Sequence, residues 1–350
     1  MACDKSLQKR RMSTDKRTNI TVFMAAYNAA PYIAASIESA LSQTYPHFEL
    51  LIVDDGSTDN TIEIVRSFTD PRIRLIENGE NRGLPYTRNV ALKEAKGEFL
   101  AVLDSDDIAF PSRLEMQIQH FLNRPLLAVL GGYAHIIDGK GQRTGQDIIP
   151  QNGSDKLRTI LLFVNTFVHS TVMIRMSAFR DVGGYPNHPV AQDYGLFARI
   201  ALKHEVDNIP EYLGEYRMHD TNISIRKKNM VETQLHAILF YQLDKLLSDS
   251  KHINPDILLS PIQGSPYSLE EYYAVYREII LENRVRKLYP IAELESTFHN
   301  NWYYLVMEKG KSRTFSFFLR KPVFNKRHAT AQQIRRAFKQ SLKHLLGIRS

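Results

Sequence analysis

Between residues 20 and 137, short apolar runs alternate with segments of helical periodicity, which restricts the fold more than any compositional figure. The mostly apolar runs 20–24, 48–53 and 73–76 read as strands, and 98–103 as a buried strand. A helix opens near Pro31, with Ile33, Ile37 and Leu41 on one face. Asn60 and Glu63 stand in capping-box spacing before a helix that runs through Phe68. Residues 85–96 and a segment from Pro111 to about Phe121 give two further helices. Repeated β-α-β units of this kind predict an α/β fold with a mostly parallel sheet, right-handed crossovers and a nucleotide-sized crevice.

Beyond residue 125 the pattern loosens. Strands are expected at 127–131, 133–138, 170–175, 206–209 and 212–217, with helices at 154–163 and 194–203. From Asn229 onward the composition turns to long helical stretches, 229–248, 269–287 and 291–307. The chain therefore divides into a basic tail (1–18), a catalytic-type α/β domain (19–228) and a helical C-terminal region (229–350).

Carboxylates stand at the ends of two strands. Asp104-Ser105-Asp106-Asp107 follows the run 98–103, and Asp54-Asp55-Gly56-Ser57 follows the run 48–53. Open α/β sheets hold ligands at the carboxyl ends of their strands. Two carboxylates at i and i+2 with a third beside them suit a hard divalent cation, Mg²⁺ or Mn²⁺, that keeps positions for water and a diphosphate. No Gly-rich dinucleotide fingerprint and no P-loop is present, so a nucleotide here must be held by metal and basic side chains.

Other positions keep two readings at this stage. Tyr27-Asn28 after the first strand either stacks on a planar base or ends a turn. Arg82 and Arg88 either clamp a phosphate or sit at a solvated helix start. Asp193 either complements the dipole of the helix it opens or serves as a general base. His219, closing Tyr216-Arg217-Met218-His219, either ligates metal or is structural.

Taken in order, these segments resemble a family 2 glycosyltransferase of the GT-A fold. The likeness covers about residues 20–225. It runs through Ala26-Tyr27-Asn28, Gln43-Thr44-Tyr45-Pro46, Glu49 to Asp59, Asn81-Arg82-Gly83, Arg88-Asn89, Asp104 to Asp107, His169-Ser170-Thr171, Gly183-Gly184-Tyr185, Gln192-Asp193 and Tyr216 to His219. The resemblance implies inverting transfer of a sugar from a nucleotide-diphosphate donor, with uracil the expected base. Ala26, Tyr27, Asp54, Asp55, Arg82, Arg88, Asp104 and Ser105 would form the nucleotide pocket. Asp106, Asp104 and His219 would hold Mn²⁺ or Mg²⁺, and Asp193 would be the catalytic base. The family usually has Glu-Asp where this chain has Gln192-Asp193, which points to a difference in acceptor binding.

The net charge of +7 conceals a division. From Lys309 to Ser350 there are twelve Lys/Arg and no acid, whereas residues 19–308 carry 27 bases against 36 acids. The segment 331–346 places Ile334, Phe338, Leu342 and Leu345 on one stripe, with Arg335, Arg336, Lys339 and Lys343 largely off it. With Phe315, Phe317, Phe318 and Leu319 upstream, it reads as a segment lying on an anionic membrane, or else as a helix packing its stripe inward. An acceptor on a lipid carrier or a growing glycan fits the first reading.

The single cysteine, Cys3, excludes an intrachain disulfide, and the charged N-terminus lacks the apolar core of a secretory signal. A cytoplasmic protein, peripheral on the membrane face, is expected. No nucleic-acid module is recognisable. Competing readings are a silent GT-A scaffold that binds membrane or partner transferases, and a sugar-1-phosphate nucleotidyltransferase. The latter needs a Gly-rich basic loop where this chain has Met24 to Asn28.

Overall fold

The computed structural model describes residues 19–219, 228–260 and 262–346. The basic tail 1–18, the segment with Asn222 and Ser224, and the last four residues lie outside the described residues. The chain divides into two compact units: 1–150, 167–196 and 204–226, and 151–166, 197–203 and 227–350.

The first unit is built on a nine-stranded sheet. Its elements begin with β1 (Ile20–Ala26), α1 (Ile33–Leu41), β2 (Phe48–Asp54), α2 (Thr61–Ser67), β3 (Ile73–Glu77), α3 (Leu84–Glu94) and β4 (Phe99–Val102). They continue with β5 (Ile108–Ala109), α4 (Arg113–Asn123), β6 (Leu127–Ile137) and β7 (Arg143–Ile148). After α5 (Ser154–Ile160), which belongs to the second unit, come β8 (Met173–Arg175), α6 (Met176–Asp181), α7 (Gln192–Ala201), which from Phe197 on counts with the second unit, and β9 (Glu205–Arg217).

The strand order is β3-β2-β1-β4-β8-β6-β9-β5, with β7 paired to β6. The pairs β1·β2, β1·β4, β2·β3 and β6·β9 are parallel, whereas β8, β5 and β7 join antiparallel. The parallel half matches the β-α-β reading. Val22, Met24, Leu50, Leu51, Ile52, Leu100 and Ala101 are all buried, because helices cover both faces. The chain winds outward from β1 through β2 to β3, then returns to place β4 on the other side of β1. That reversal puts the ends of β1, β2 and β4 around one crevice.

Several expectations need correcting. Residues 127–137 form one strand and so do 205–217, because the β6·β9 pair carries register shifts near Gly131 and Tyr133 without breaking. Residues 169–171 form a 3₁₀ turn, not a strand start. The Asn60–Glu63 capping box is not made. Asp59 caps α2 instead, accepting from Thr61 N–H at 3.0 Å. β7 was not anticipated, since its polar sequence has no alternation.

The second unit packs α5 with α8 (Lys228–Leu246), α9 (Asp256–Leu259), α10 (Leu269–Arg286), α11 (Ile291–Lys309), α12 (Thr314–Phe318) and α13 (Ala331–Leu345). Its core holds Tyr272, Tyr276, Phe298, Trp302 and Phe318, and Trp302 Nε1 donates to the Phe317 carbonyl at 3.0 Å. Reciprocal capping boxes start α10 (Ser268 with Glu271) and α13 (Thr330 with Gln333). Glu232, His236 and Asp256 bring potential ligating atoms within 4.8 Å of one another. No described helix is long and apolar enough to cross a membrane.

Candidate active site

Three loops at the carboxyl ends of β1, β2 and β4 form the site. The first two are laced together. Asn28, at φ 50°, donates its N–H to Ser57 Oγ (2.9 Å) and accepts from Thr58 N–H (2.8 Å). Asp54 turns its carboxylate onto the N–H groups of Gly56 (3.0 Å) and Ser57 (2.9 Å) and onto the Ser57 hydroxyl. Gly56 is required there: at φ 74°, a Cβ would stand 2.6 Å from the Glu80 backbone.

Asp55 accepts from the backbone N–H groups of Arg82 (3.0 Å) and Gly83 (2.8 Å) and from Asn78 Nδ2 (2.9 Å). A carboxylate has about four lone-pair directions, so one on Oδ2 remains. Tyr27 stands beside these loops, about half exposed.

The β4 turn holds the other carboxylates, steadied by Ser36 Oγ donating to the Ser105 carbonyl (3.0 Å). Asp104 receives Arg88 Nη2 at 3.0 Å on Oδ1 and lies 2.9 Å from His169 Nδ1 through Oδ2. Burial works against its ionisation, but His169 and Arg88 outweigh it and hold its pKa well below the usual range. His169 Nε2 meets the buried Tyr185 hydroxyl at 3.0 Å. Arg88 is itself buried, and among the described residues its Nε has no hydrogen-bond partner.

Asp106 forms a second pair, with Oδ2 2.9 Å from His219 Nε2, and His219 stacks on Tyr32 at 4.9 Å. Burial and then the charge of Asp104 raise the Asp106 pKa. Asp107 is fully buried, accepting from Arg217 N–H (2.7 Å) and the Ser170 hydroxyl. Its pKa lies well above the usual range, through burial and the charges of Asp106 and Asp104. Asp193 sits half-buried in the first turn of α7, its charge felt by Arg88 and Tyr185.

The sequence model described as "Glycosyl transferase family 2" matches residues 21–183. Putative glycosyltransferase EpsE of Bacillus subtilis (strain 168) is 32% identical over 232 residues, 64% of this chain and 81% of that protein. A second relative is "UDP-Glc:alpha-D-GlcNAc-diphosphoundecaprenol beta-1,3-glucosyltransferase WfgD" of Escherichia coli. It is 33% identical over 217 residues, 61% of this chain and 83% of that one.

The chain belongs to glycosyltransferase family 2.

Its GT-A-type fold is shared with S. aureus TarS solved with UDP-GlcNAc (TM-score 0.52, 18% identity, 94% of this chain and 92% of that chain). It is shared also with mannosyltransferase PcManGT from Pyrobaculum calidifontis, solved with GDP-Man and Mn2+ (TM-score 0.50, 18% identity, 96% and 89%). The protein is thus a glycosyl-transferring enzyme.

Within this family 2 enzyme, the residues singled out from sequence fall into subsets. Asp54 closes its own turn. Asp55 donates its N–H to the Ala26 carbonyl at 2.8 Å, with Tyr27 next along the chain and exposed. Arg88, Asp104, His169 and Tyr185 form one bonded group, and Asp106 and His219 another. Asp104 is therefore engaged away from the Asp106–His219 pair. Arg82 joins Asp55 through its backbone N–H, while its exposed side chain donates to the Tyr86 hydroxyl at 2.7 Å. Sequence reading gave no role to Arg113, a buried guanidinium donating to the carbonyls of Val102 (2.8 Å) and Val172 (3.1 Å) behind the carboxylate turn. Burial lowers its pKa to about 9. A lone Arg after Pro111-Ser112 looks like any helix start, so no local signal marks it.

Proposed function

We propose that the enzyme transfers a sugar, with inversion, from a UDP-sugar to a hydroxyl of a lipid-linked saccharide or growing surface polysaccharide at the cytoplasmic membrane face. The observation that carries this is the joining of half-buried Asp104 with buried Arg88, His169 and Tyr185 into one group beside the Asp106–His219 pair. Relatives named as a UDP-Glc transferase to a diphosphoundecaprenol-linked sugar and as hyaluronan synthase support the donor and acceptor classes. Structural neighbours hold UDP, UDP-GlcNAc and GDP-Man.

In this reading Tyr27 stacks on the uracil, and the remaining lone pair of Asp55 accepts its N–H. Ala26 and Ser105 line the nucleotide pocket, and Asp54 shapes it through its turn. Arg82 reaches the nucleotide from its rim. Arg88 fixes Asp104 toward the ribose and offers its unpartnered Nε as a donor. Asp106 and His219 would hold the cation, with Asp104 completing its negative surroundings. One carboxylate oxygen and one imidazole nitrogen suit Mn²⁺ better than Mg²⁺. Such an ion would neutralise charge developing on the departing diphosphate.

Asp193 removes the proton of the acceptor hydroxyl as that oxygen attacks the anomeric carbon opposite the diphosphate. A positioned base of this kind contributes about 10²–10⁴ in rate. Buried Gln192, which is neutral beside it, would alter how the acceptor is gripped.

The test is a panel of UDP-, GDP- and dTDP-sugars with Mn²⁺ and a polyprenyl-diphosphate-linked saccharide, scored for glycosylated lipid. Product from the UDP class alone, with Asp193→Asn lowering kcat about 10²–10⁴-fold while UDP still binds, is the expected result. Product from GDP-sugars only would overturn the base assignment. No product from any donor would overturn the transfer reading, and full activity of Asp193→Asn would remove the base.

A further inference from the structure

Helix α13 leaves its large apolar side chains partly exposed, beside the face that it packs. Its buried positions are the small residues Ala337 and Ser341, one turn apart. Ser341 Oγ donates to the Ser312 carbonyl (2.8 Å) and accepts from Phe315 N–H (3.0 Å), seating the helix against the chain just before and within α12.

Ile334, Phe338, Leu342 and Leu345, spaced to form one stripe, are 37%, 55%, 44% and 69% exposed. Phe338 extends the stripe by meeting half-buried Phe315 edge-on at 5.3 Å. The stripe therefore borders the packed Ala337–Ser341 face, and the unit covers it only in part.

The flank of the stripe is cationic. Arg335, Lys339 and Lys343 each follow a stripe residue by one position, so they form a row about 100° around the helix. No acid occurs from Lys309 to the C-terminus to offset them. Burying the stripe against a second copy would bring two such rows together with no acid from this segment between them. An anionic lipid surface satisfies both features at once: acyl chains receive the apolar side chains, and lipid phosphates receive the bases.

We propose that α13 is a membrane-docking helix that lies in the interface of an anionic bilayer through Ile334, Phe338, Leu342 and Leu345. This deepens the lipid-linked acceptor reading, and it rests on that reading for why the enzyme meets a membrane.

The experiment is co-sedimentation of the full chain with phosphatidylcholine vesicles, with or without phosphatidylglycerol, at low and high salt. Binding to the anionic vesicles that weakens with salt, and falls about ten-fold or more in Phe338→Ser/Leu342→Ser, is expected. Both positions are partly exposed and Phe338 touches Phe315, so binding is compared at a temperature where thermal unfolding shows both chains folded. Equal binding to both vesicle types, or unchanged binding by the double variant, would overturn the proposal. So would an oligomer that the double variant dissociates while vesicle binding persists. Transfer to a soluble acceptor, measured without vesicles, is scored separately: its absence would count against the function reading alone.

Discussion

Arg88 meets Asp104 and His169 through one Nη2 atom, lies over the Tyr185 ring at 5.5 Å, and feels the charge of Asp193. Removing a buried partner leaves an uncompensated charge, which costs about 3–5 kcal/mol. Arg88→Met should therefore lower unfolding free energy by about that amount in urea titrations, and not merely weaken substrate binding. At Gly56 the constraint is steric. Gly56→Ala forces a Cβ into the Glu80 backbone at positive φ, and a loss of about 1–3 kcal/mol in the same titration is expected. Residue types at this scale were partly legible in sequence. The acids and His219 stood out because carboxylates follow apolar runs. The bonding of Asp104 to His169, far along the chain, left no local trace. Nor did the spending of Asp54 on its own turn.

At the scale of elements, β1, β2 and β4 and their helices were readable because buried strands are mostly apolar. The half-buried edge strand β3 was readable because Ile73, Leu75 and Ile76 still mark it. β6 and β9 were each read as two strands, since Gly131-Gly132 and Pro210 mimic breaks that pairing in fact carries across. α11 supplies a prediction of its own. His299 is fully buried, and desolvation lowers its pKa from 6.5. A depressed histidine is neutral in the folded state while the unfolded chain takes up its proton, so stability falls as pH drops below about 6.5. Thermal unfolding between pH 7.5 and 5 should show that slope, and His299→Gln should flatten it.

For the whole molecule, charge is distributed by region: acids exceed bases between the two ends, and bases dominate both ends. That division was visible in sequence, but the direction of the α13 stripe was not. An amphipathic pattern records which residues share a face, not which face the fold covers. Ala337 and Ser341 decide that by being small. The ends of β1, β2 and β4 are proposed to make one donor site in which Asp106 and His219 hold the metal. Calorimetric titration of UDP into the protein, with Mn²⁺ or with chelator, tests it most directly. Binding that needs Mn²⁺ and weakens about 10–100-fold in both Asp106→Ala and His219→Ala is the predicted result. UDP binding indifferent to chelator and to both substitutions would contradict it.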